Sequence, residues 1–578
     1  MIFATSNISQ LWAYLLVDEL VRNGVRHFFL SPGSRSTPLV VAIAEHPDAR
    51  ATVHYDERGS SFAALGFARG ARQPACWVTT SGTALANGYP AVVEAAVDGV
   101  PMILLTADRP PELRDTGANQ TIDQVKLFGD HVRAFIDLPA PTLDIPPAFV
   151  LTTVDRAVHA AGERPGPVHL NAMFREPLAP TNDRFDHAGY LAGLGAWRAH
   201  RRPYTVYERP VSAVTPPTGA EAPLRAARRG LILAGRLSPE AARAAQALSD
   251  AWQWPLLPDV GSQLRLGEEG VVSHADLLAG SPAFLRQYAP DAVLQLGDRI
   301  VSKRINALTT GISPYVVVHA SGDRLDPGHV VSHRVQADVG AFCRGLIDAG
   351  PPIAEAGWFE GWRAADGRVA EWLQERFVRE PALTEPHVAR LISERIPAGS
   401  GLCLASSMPV RDMDRFASGR SLRVHVATNR GASGIDGTVA TAAGLAIGLD
   451  RPVTLLIGDL ALLHDLNSLP LLKAVGHPIV VILVNNQGGG IFSFLPISLF
   501  PTVFEHYFAT PHAFTFEHAA MQFGLDYAAP ADAGGFQDAY DAALARPGAT
   551  LIEVRTDRAA NVLEHREFDL SIDRLFSA

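Results

Sequence analysis

The sequence predicts an α/β protein made of three doubly wound parallel-sheet domains. Three observations carry that reading. Short runs of Val, Ile and Leu ending in Gly, Pro or polar residues recur along the chain, the pattern of strands buried on both faces. Segments with apolar residues at helical spacing separate these runs, and strand–helix alternation of this kind means a parallel sheet with helices on its faces. The length, 578 residues, is that of about three domains.

The first domain is expected over residues 1–185. Asn7 or Ser9 caps a helix Leu11–Arg22 that stops at Gly24. Val25–Leu30 is a strand running into the turn SPGSRSTPL, Ser31–Leu39. Ala51–Tyr55 is a strand, Asp56–Ser61 a turn and Phe62–Arg69 a helix. Ala75–Thr80 is a strand, Ser81–Gly88 a turn and Tyr89–Asp98 a helix. Pro101–Thr106 follows as a strand, then ADRPPELRDTGANQTIDQ. The turns after these strands carry Ser34, Arg35, Glu57, Arg58, Ser81, Arg109, Arg114, Asn119 and Gln120, at the edge where open α/β sheets bind ligands. Glu57 directly follows a strand; burial there would raise its pKa and suit a proton relay, whereas a pairing with Arg58 or Arg69 would make it an ordinary ion pair. Arg35 and Arg109 lie in Pro-stiffened turns, which hold planar guanidiniums for bidentate carboxylate recognition.

Residues 186–228, with scattered Pro and little periodicity, read as a linker. A central α/β domain spans 229–350. It has strands at Gly230–Gly235, Pro255–Pro258, Ala292–Leu296, Tyr315–His319 and Arg334–Asp338, with a helix Pro239–Trp252. Ser302, Lys303 and Arg304 follow a strand end, either as a solvated helix start or facing a substrate. Residues 351–379 are expected as a second linker, and 380–578 as the last domain. That domain opens with a helix His387–Arg395 and strands Gly401–Ala405 and Val424–Ala427. The glycine-rich TNRGASGIDG follows and opens a helix, Thr438–Leu449, whose N-terminus suits a phosphate. Ala549–Val554 is the closing strand. The glycine-rich segment is not GxGxxG, and no GxxxxGK[ST] occurs, so neither an ordinary dinucleotide fingerprint nor a P-loop is supported.

The stretch Gly458–Pro496 is the most informative. Strands Val453–Ile457 and Ile479–Val484 flank a helical segment, Leu460–Ala474, that ends at Gly476 and Pro478. The right-handed crossover of such a unit brings both strand ends to one sheet edge, so Asp459 and Asn486 meet there. A hard cation such as Mg²⁺ takes oxygen ligands and shares them with phosphates. Asp459, Asn486 and the carbonyl of Gly488 would supply part of an octahedron, and a diphosphate more. Either side chain could equally be a turn residue.

Composition narrows the class. The chain is 47% hydrophobic and 19% charged with a net charge of −10, which indicates no general affinity for nucleic acid. Three widely spaced cysteines, Cys76, Cys343 and Cys403, form neither a disulfide framework nor a zinc pattern and suit a reducing cytoplasm. No apolar run reaches transmembrane length, and the start of the chain lacks the basic stretch and cleavage site of a signal peptide.

Together these features resemble the thiamine diphosphate-dependent enzymes of the 2-oxo acid decarboxylase and acetolactate synthase superfamily, whose domain order is pyrimidine-binding, central, diphosphate-binding. The motifs SPGSRSTPL, HYDERGSSFAALGFARG, TSGTALANGYPAVVEA, TADRPPELRDTGANQTIDQ, TNRGASGIDG, GDLALLHDLN and VNNQGGGIFSFLP are similar to those of the 2-succinyl-5-enolpyruvyl-6-hydroxy-3-cyclohexene-1-carboxylate synthase family of menaquinone biosynthesis. Two departures stand out: Leu460 replaces the second glycine of the superfamily's GDG, and Gln487 stands where that family more often has Asn or Asp. The middle domain resembles the family mainly at LQLGDRIVSKR.

The resemblance implies a transferase that uses thiamine diphosphate with Mg²⁺ or Mn²⁺. It decarboxylates 2-oxoglutarate and adds the succinyl unit to isochorismate. Glu57 is implied to hydrogen-bond the aminopyrimidine ring and promote its imino tautomer, and Asp459, Asn486 and the Gly488 carbonyl to bind the metal. The cofactor set is completed by Ser81, Gly82, Ser407, Met408, Gly431, Ser433, Ile435, Gly458, Leu460, Ile491 and Phe492. Within that set, Ile435 props the cofactor into its V shape, and Ile491 and Phe492, with Leu495, form an apolar wall or else plain core. Ser34, Arg35, Arg109, Asn119, Gln120, Lys303 and Arg304 are implied to face isochorismate; Ser407 and Arg411 would grip the succinyl carboxylate, with Arg430 nearby. His464 is read as structural. In the superfamily, opposite ends of one cofactor are held by different subunits, so a homodimer or homotetramer is expected. The competing readings are another thiamine diphosphate-dependent decarboxylase or carboligase, a non-catalytic cofactor-binding relic, and a nicotinamide- or flavin-linked oxidoreductase that lacks its fingerprint.

Overall fold

The structure is a computed structural model and describes residues 5–181, 185–208, 218–267, 270–419 and 423–577. Part of the stretch expected as the first linker, 209–217, lies outside the described residues. The chain forms two compact units. One contains the N-terminal sheet together with Asn429–Val453 and Ala461–Ile479; the other contains the two remaining sheets.

The N-terminal sheet has six strands: β1 (His27–Leu30), β2 (Arg50–Val53), β3 (Ala75–Thr79), β4 (Met102–Asp108), β5 (Phe135–Leu138) and β6 (Pro167–Met173). Their order is β2-β1-β3-β4-β6-β5 and all pairings are parallel. β3, β4 and β6 are buried at every position, as central strands of a sheet covered on both faces must be. The helix Ile8–Arg22 is capped by Asn7, whose side chain accepts from Gln10 N–H at 2.9 Å; Ser9 lies inside it.

Two local expectations in this unit change. The segment Asp56–Ser61 is not a turn. Asp56 Oδ1 accepts from Arg58 N–H at 2.9 Å, so the helix begins at Glu57 and runs to Ala71. The segment Leu460–Ala474 is not one helix but a short α-turn, Asp459–His464, followed by a 3₁₀ stretch, Leu466–Ala474. Pro470 inside the latter cannot donate to a continuous α-helical ladder. Residues 186–208, expected as linker, pack on the N-terminal sheet's core: Leu191, Leu194 and Trp197 are buried there, and Trp197 Nε1–H donates to Glu19 at 2.6 Å.

The closest packing in this unit is between the helices Glu57–Ala71 and Thr438–Leu449. Phe62 lies against Gly437, Gly66 against Thr441 and Gly70 against Leu445 and Leu449, so the helices run parallel. A Cβ at Gly66 would stand 2.1 Å from the Thr441 carbonyl oxygen, and one at Gly444 would stand 1.9 Å from that of Ala63. Glycine is required at both positions because the two backbones touch.

In the second unit, β7 (Gly230–Ala234), β8 (Leu256–Pro258), β9 (Ala292–Leu296), β10 (Tyr315–His319) and β11 (His333–Gln336) form a five-stranded sheet in the order β11-β10-β9-β7-β8. The last sheet has six strands: β12 (Gly401–Leu404), β13 (His425–Thr428), β14 (Val453–Gly458), β15 (Pro478–Asn485), β16 (Asp526–Ala528) and β17 (Gly548–Arg555). Its order, β13-β12-β14-β15-β17-β16, makes β14 and β15 neighbours. Residues 351–379, expected as linker, instead contain the 22-residue helix Trp358–Arg379. Its buried face, Trp358, Trp362, Ala365, Val369, Leu373 and Phe377, has helical spacing, and burying that face stabilises a helix otherwise rich in Arg and Glu. Among the described residues no helix is long and apolar enough to cross a membrane.

Candidate active site

In the N-terminal unit the predicted residues gather at the C-terminal ends of the strands. Glu57 is the first residue of its helix and is half-buried; a carboxylate there is favoured by the helix dipole. The ion pair with Arg58 or Arg69 does not form. Arg58 instead donates to His464 Nδ1 at 3.0 Å and to the His464 carbonyl at 2.7 Å, which gives His464 its structural role. Arg69 bonds Glu94 at 2.8 Å and Asp98 at 2.7 Å, and also reaches Asn429.

Arg109 is buried and organises a cluster. Its Nη1 donates to Ser81 Oγ and, at 2.8 Å, to the Gln120 carbonyl. Gln120 Nε2 returns a bond to the Ser81 carbonyl at 2.9 Å. Gly82, at φ +81°, donates its N–H to Gln124 Oε1 at 3.0 Å; a side chain at that φ would be strained. Arg35 is also buried. It donates to the Phe174 carbonyl at 2.9 Å and lies 3.6 Å from Glu176. Burial, and next the positive charge of Arg35, depress the pKa of Arg109. A buried guanidinium destabilised by its neighbour gains from an incoming carboxylate. Ser34 and Asn119 are exposed beside these turns. Arg114, read from the sequence as a turn cation, is held by Asp108 at 3.2 Å and Asp137 at 3.4 Å.

Within the same unit, Glu94 anchors the glycine-rich segment. Its two carboxylate oxygens accept from Gly431 N–H at 2.9 Å and Ala432 N–H at 2.6 Å. Ser433 adopts φ +61°, and Ile435 is 39% exposed, which leaves an apolar side chain projecting just before the helix Thr438–Leu449. Arg430 is half-buried at the start of the segment.

The second unit holds the other predicted residues. Asp459 follows β14 and is 2% exposed. Its Oδ1 accepts from Leu460 N–H at 2.6 Å and its Oδ2 from Gly488 N–H at 3.0 Å; His512 Nε2 lies 3.3 Å from Oδ2. Burial pushes the carboxyl above its ordinary pKa, and these hydrogen bonds oppose the shift. Asn486 follows β15. Its Nδ2 donates to Glu385 Oε1 at 3.0 Å, and its Oδ1 is buried with no hydrogen-bond partner. Glu385 is itself buried and also accepts from Thr556 Oγ1 at 3.0 Å; burial, then the charge of Asp412, pushes it up to about 8.

A buried amide oxygen left without a donor, beside a carboxylate in one strand-end turn, is what a hard cation satisfies. The turn reading of Asp459 and Asn486 does not account for that orphan oxygen. The Gly488 carbonyl accepts from Gly490 N–H at 2.9 Å. A carbonyl has two lone pairs, so one remains for a ligand. Gly488 adopts φ +146°, and a Cβ there would stand 2.3 Å from the Ala509 carbonyl oxygen. The residues present therefore fit a divalent ion.

Ser407 adopts φ +76°, a strained conformation of the kind that concentrates at functional sites. It opens the helix Met408–Phe416, and Arg411 Nη1 folds back onto the Ser407 carbonyl. Ile491 and Phe492 are half-buried and Leu495 is 37% exposed. Lys303 is exposed at the start of its helix. Arg304 is not presented alone: it grips Asp569 of the helix Arg558–Leu575 through two bonds of 2.8 and 2.6 Å. Sequence reasoning missed Gln124, Glu94, Glu385 and His512. Their partners are distant in sequence, and no local pattern marks them.

Family models place the chain among thiamine pyrophosphate enzymes. The N-terminal thiamine pyrophosphate-binding domain matches residues 12–127, the middle domain 188–404 and the C-terminal thiamine pyrophosphate-binding domain 410–554. Curated relatives narrow the class. The 2-succinyl-5-enolpyruvyl-6-hydroxy-3-cyclohexene-1-carboxylate synthase of Rubrobacter xylanophilus is 53% identical, covering 97% of this chain and 98% of its own. That of Salinibacter ruber is 51% identical over 98% and 97%, and that of Prosthecochloris aestuarii 42% over 98% of each. The chain belongs to this synthase family.

Proposed function

We propose that the protein decarboxylates 2-oxoglutarate and adds the succinyl unit to isochorismate, giving 2-succinyl-5-enolpyruvyl-6-hydroxy-3-cyclohexene-1-carboxylate for menaquinone biosynthesis. The observation that carries this reading is identity above half, over nearly the whole length, to a relative bearing that name. Thiamine diphosphate, when bound, supplies the reactive thiazolium carbon and the electron sink for decarboxylation. Asp459, Asn486 and the Gly488 carbonyl would hold Mg²⁺, or Mn²⁺ in its place, and that ion would neutralise diphosphate charge. Gly458, Leu460 and Met408 line that end.

The remaining residues position, shield and move protons. Glu57 holds a proton at the aminopyrimidine ring, with Ser81 and Gly82 beside it. Gly431, Ser433 and Ile435 would support the cofactor, and Ile491, Phe492 and Leu495 would exclude water from its reactive carbon. Ser407, Arg411 and Arg430 bind the distal carboxylate of 2-oxoglutarate. Arg35 and Arg109 receive a carboxylate of isochorismate, with Ser34, Asn119, Gln120, Lys303 and Arg304 completing the acceptor site. Both substrates are dicarboxylates, and fixed guanidiniums are the chemistry that selects them over pyruvate.

The pyrimidine-binding and diphosphate-binding halves of one site come from two copies of the chain, so the working form is a homodimer or a tetramer of such dimers. The three cysteines, widely spaced and buried, suit a reducing cytoplasm. The test replaces 2-oxoglutarate by pyruvate in the presence of isochorismate, thiamine diphosphate and Mg²⁺. Turnover with 2-oxoglutarate and isochorismate but not with pyruvate and isochorismate supports the proposal; comparable turnover of pyruvate refutes it. Activity of a dilute monomer, by ultracentrifugation with assay, would refute the shared site.

A further inference from the structure

The two side-chain metal ligands each lean on one further residue. Asn486 can present its amide oxygen only if its amide nitrogen is occupied elsewhere. Glu385 Oε1 takes that nitrogen at 3.0 Å, and Thr556 Oγ1 donates to the same oxygen at 3.0 Å. The amide is thereby fixed in one of its two flip states, with the unpartnered Oδ1 turned away from Glu385. Asp459 has a close polar neighbour. His512 Nδ1 accepts from Phe514 N–H at 3.2 Å, which leaves Nε2 as the donor nitrogen of the ring. That nitrogen lies 3.3 Å from Asp459 Oδ2, a close polar contact, and makes no hydrogen bond. The imidazole is held flat against Phe514, with ring centroids 5.1 Å apart and planes 20° apart.

We propose that Glu385 and His512 are positioning residues that aim Asn486 and Asp459 at the divalent ion: Glu385 fixes the amide flip of Asn486, and His512 fixes the rotamer of Asp459. This rests on the reading of Asp459 and Asn486 as metal ligands. Outer partners of ligating side chains of this kind contribute about 10- to 100-fold in metal affinity.

Three variants separate the roles. Glu385→Ala frees the Asn486 amide to rotate. Glu385→Gln keeps a carbonyl oxygen where Oε1 stands and still accepts from the amide. His512→Phe keeps the ring on Phe514 but removes Nε2. Mn²⁺ uptake by the full-length protein is followed by electron paramagnetic resonance of the free ion, with thiamine diphosphate saturating and no substrate. Glu385→Ala and His512→Phe should each weaken Mn²⁺ binding about 10- to 100-fold, and Glu385→Gln should bind within about threefold of wild type. Unchanged binding by Glu385→Ala, or equal loss in Glu385→Gln, overturns the role of Glu385. Unchanged binding by His512→Phe overturns that of His512. An Asn486→Ala control that still binds as wild type overturns the metal reading itself, and the inference with it.

Discussion

Replacing Gly444 by Ala adds one methyl group where two helices touch. The new Cβ would stand 1.9 Å from the Ala63 carbonyl oxygen and 2.8 Å from Phe67 N. A carbon–oxygen approach of about 3.3 Å is the practical minimum, so the helices Glu57–Ala71 and Thr438–Leu449 must part by roughly 1.4 Å. Overpacking of this kind costs about 1–3 kcal/mol, offset by up to about 1 kcal/mol because alanine is the better helix former. With the full offset, a net loss of up to about 2 kcal/mol follows. The functional effect is larger. Glu57 rides on the first helix and Ile435 precedes the second, and a displacement of about 1 Å in catalytic geometry costs on the order of 100-fold in rate. Gly367→Ala is the control: it lies inside the helix Trp358–Arg379 with nothing within 4 Å of a new Cβ, so it should gain up to about 1 kcal/mol and keep full turnover. Urea unfolding and steady-state rates on both variants provide the readout. Wild-type turnover in Gly444→Ala would refute the claim that this backbone contact sets the geometry of the site.

Glu57→Gln should bind thiamine diphosphate as wild type, measured by calorimetry, but lose at least about 100-fold in kcat, the usual contribution of a positioned acid or base; unchanged turnover removes Glu57 as the proton carrier. Arg109→Lys should raise KM for isochorismate about 10-fold or more, with cofactor affinity unchanged, because an ammonium cannot reproduce the planar fork; competition assays against 2-oxoglutarate check the selectivity of the loss. Burial, followed by its bond to Asp155, pushes Glu19 up to about 8. Its folded pKa is thus above its unfolded value of about 4.3, so the stability it contributes is full below that value and is lost as pH rises through about 8. Urea unfolding of Glu19→Gln between pH 5 and 8 should show a flatter decline than wild type, even where the variant is weaker overall; an unchanged slope contradicts the assignment.

Strands and helices with a strong period were legible to within a residue or two. The helices Tyr89–Asp98, Pro239–Trp252 and Thr438–Leu449 and the strand Tyr315–His319 fall where their patterns put them. The helix Trp358–Arg379 was hidden by its arginines and glutamates, although its aromatic stripe was present. The strands Phe135–Leu138 and Pro167–Met173 went unread. The first residue of the Glu57–Ala71 helix depended on Asp56 acting as cap rather than as turn residue, a choice made by one side-chain hydrogen bond.

The candidate site was legible where it lies in strand-end turns, as at Arg35, Ser81, Arg109, Asp459 and Asn486. The supporting residues were not. Glu385 meets Asn486 across about a hundred residues of chain, and Glu94 meets Gly431 across more than three hundred. Arg304 reads in sequence as a cation past a strand end, and only the folded chain brings Asp569 to it.

The most direct test of the account is the stoichiometry of the holoenzyme supplied with 2-oxoglutarate and isochorismate. One carbon dioxide released and one isochorismate consumed per 2-oxoglutarate, all abolished by omitting thiamine diphosphate or chelating the metal, is the predicted result. Release of carbon dioxide at the full rate without isochorismate, or turnover that survives removal of the cofactor, would contradict it.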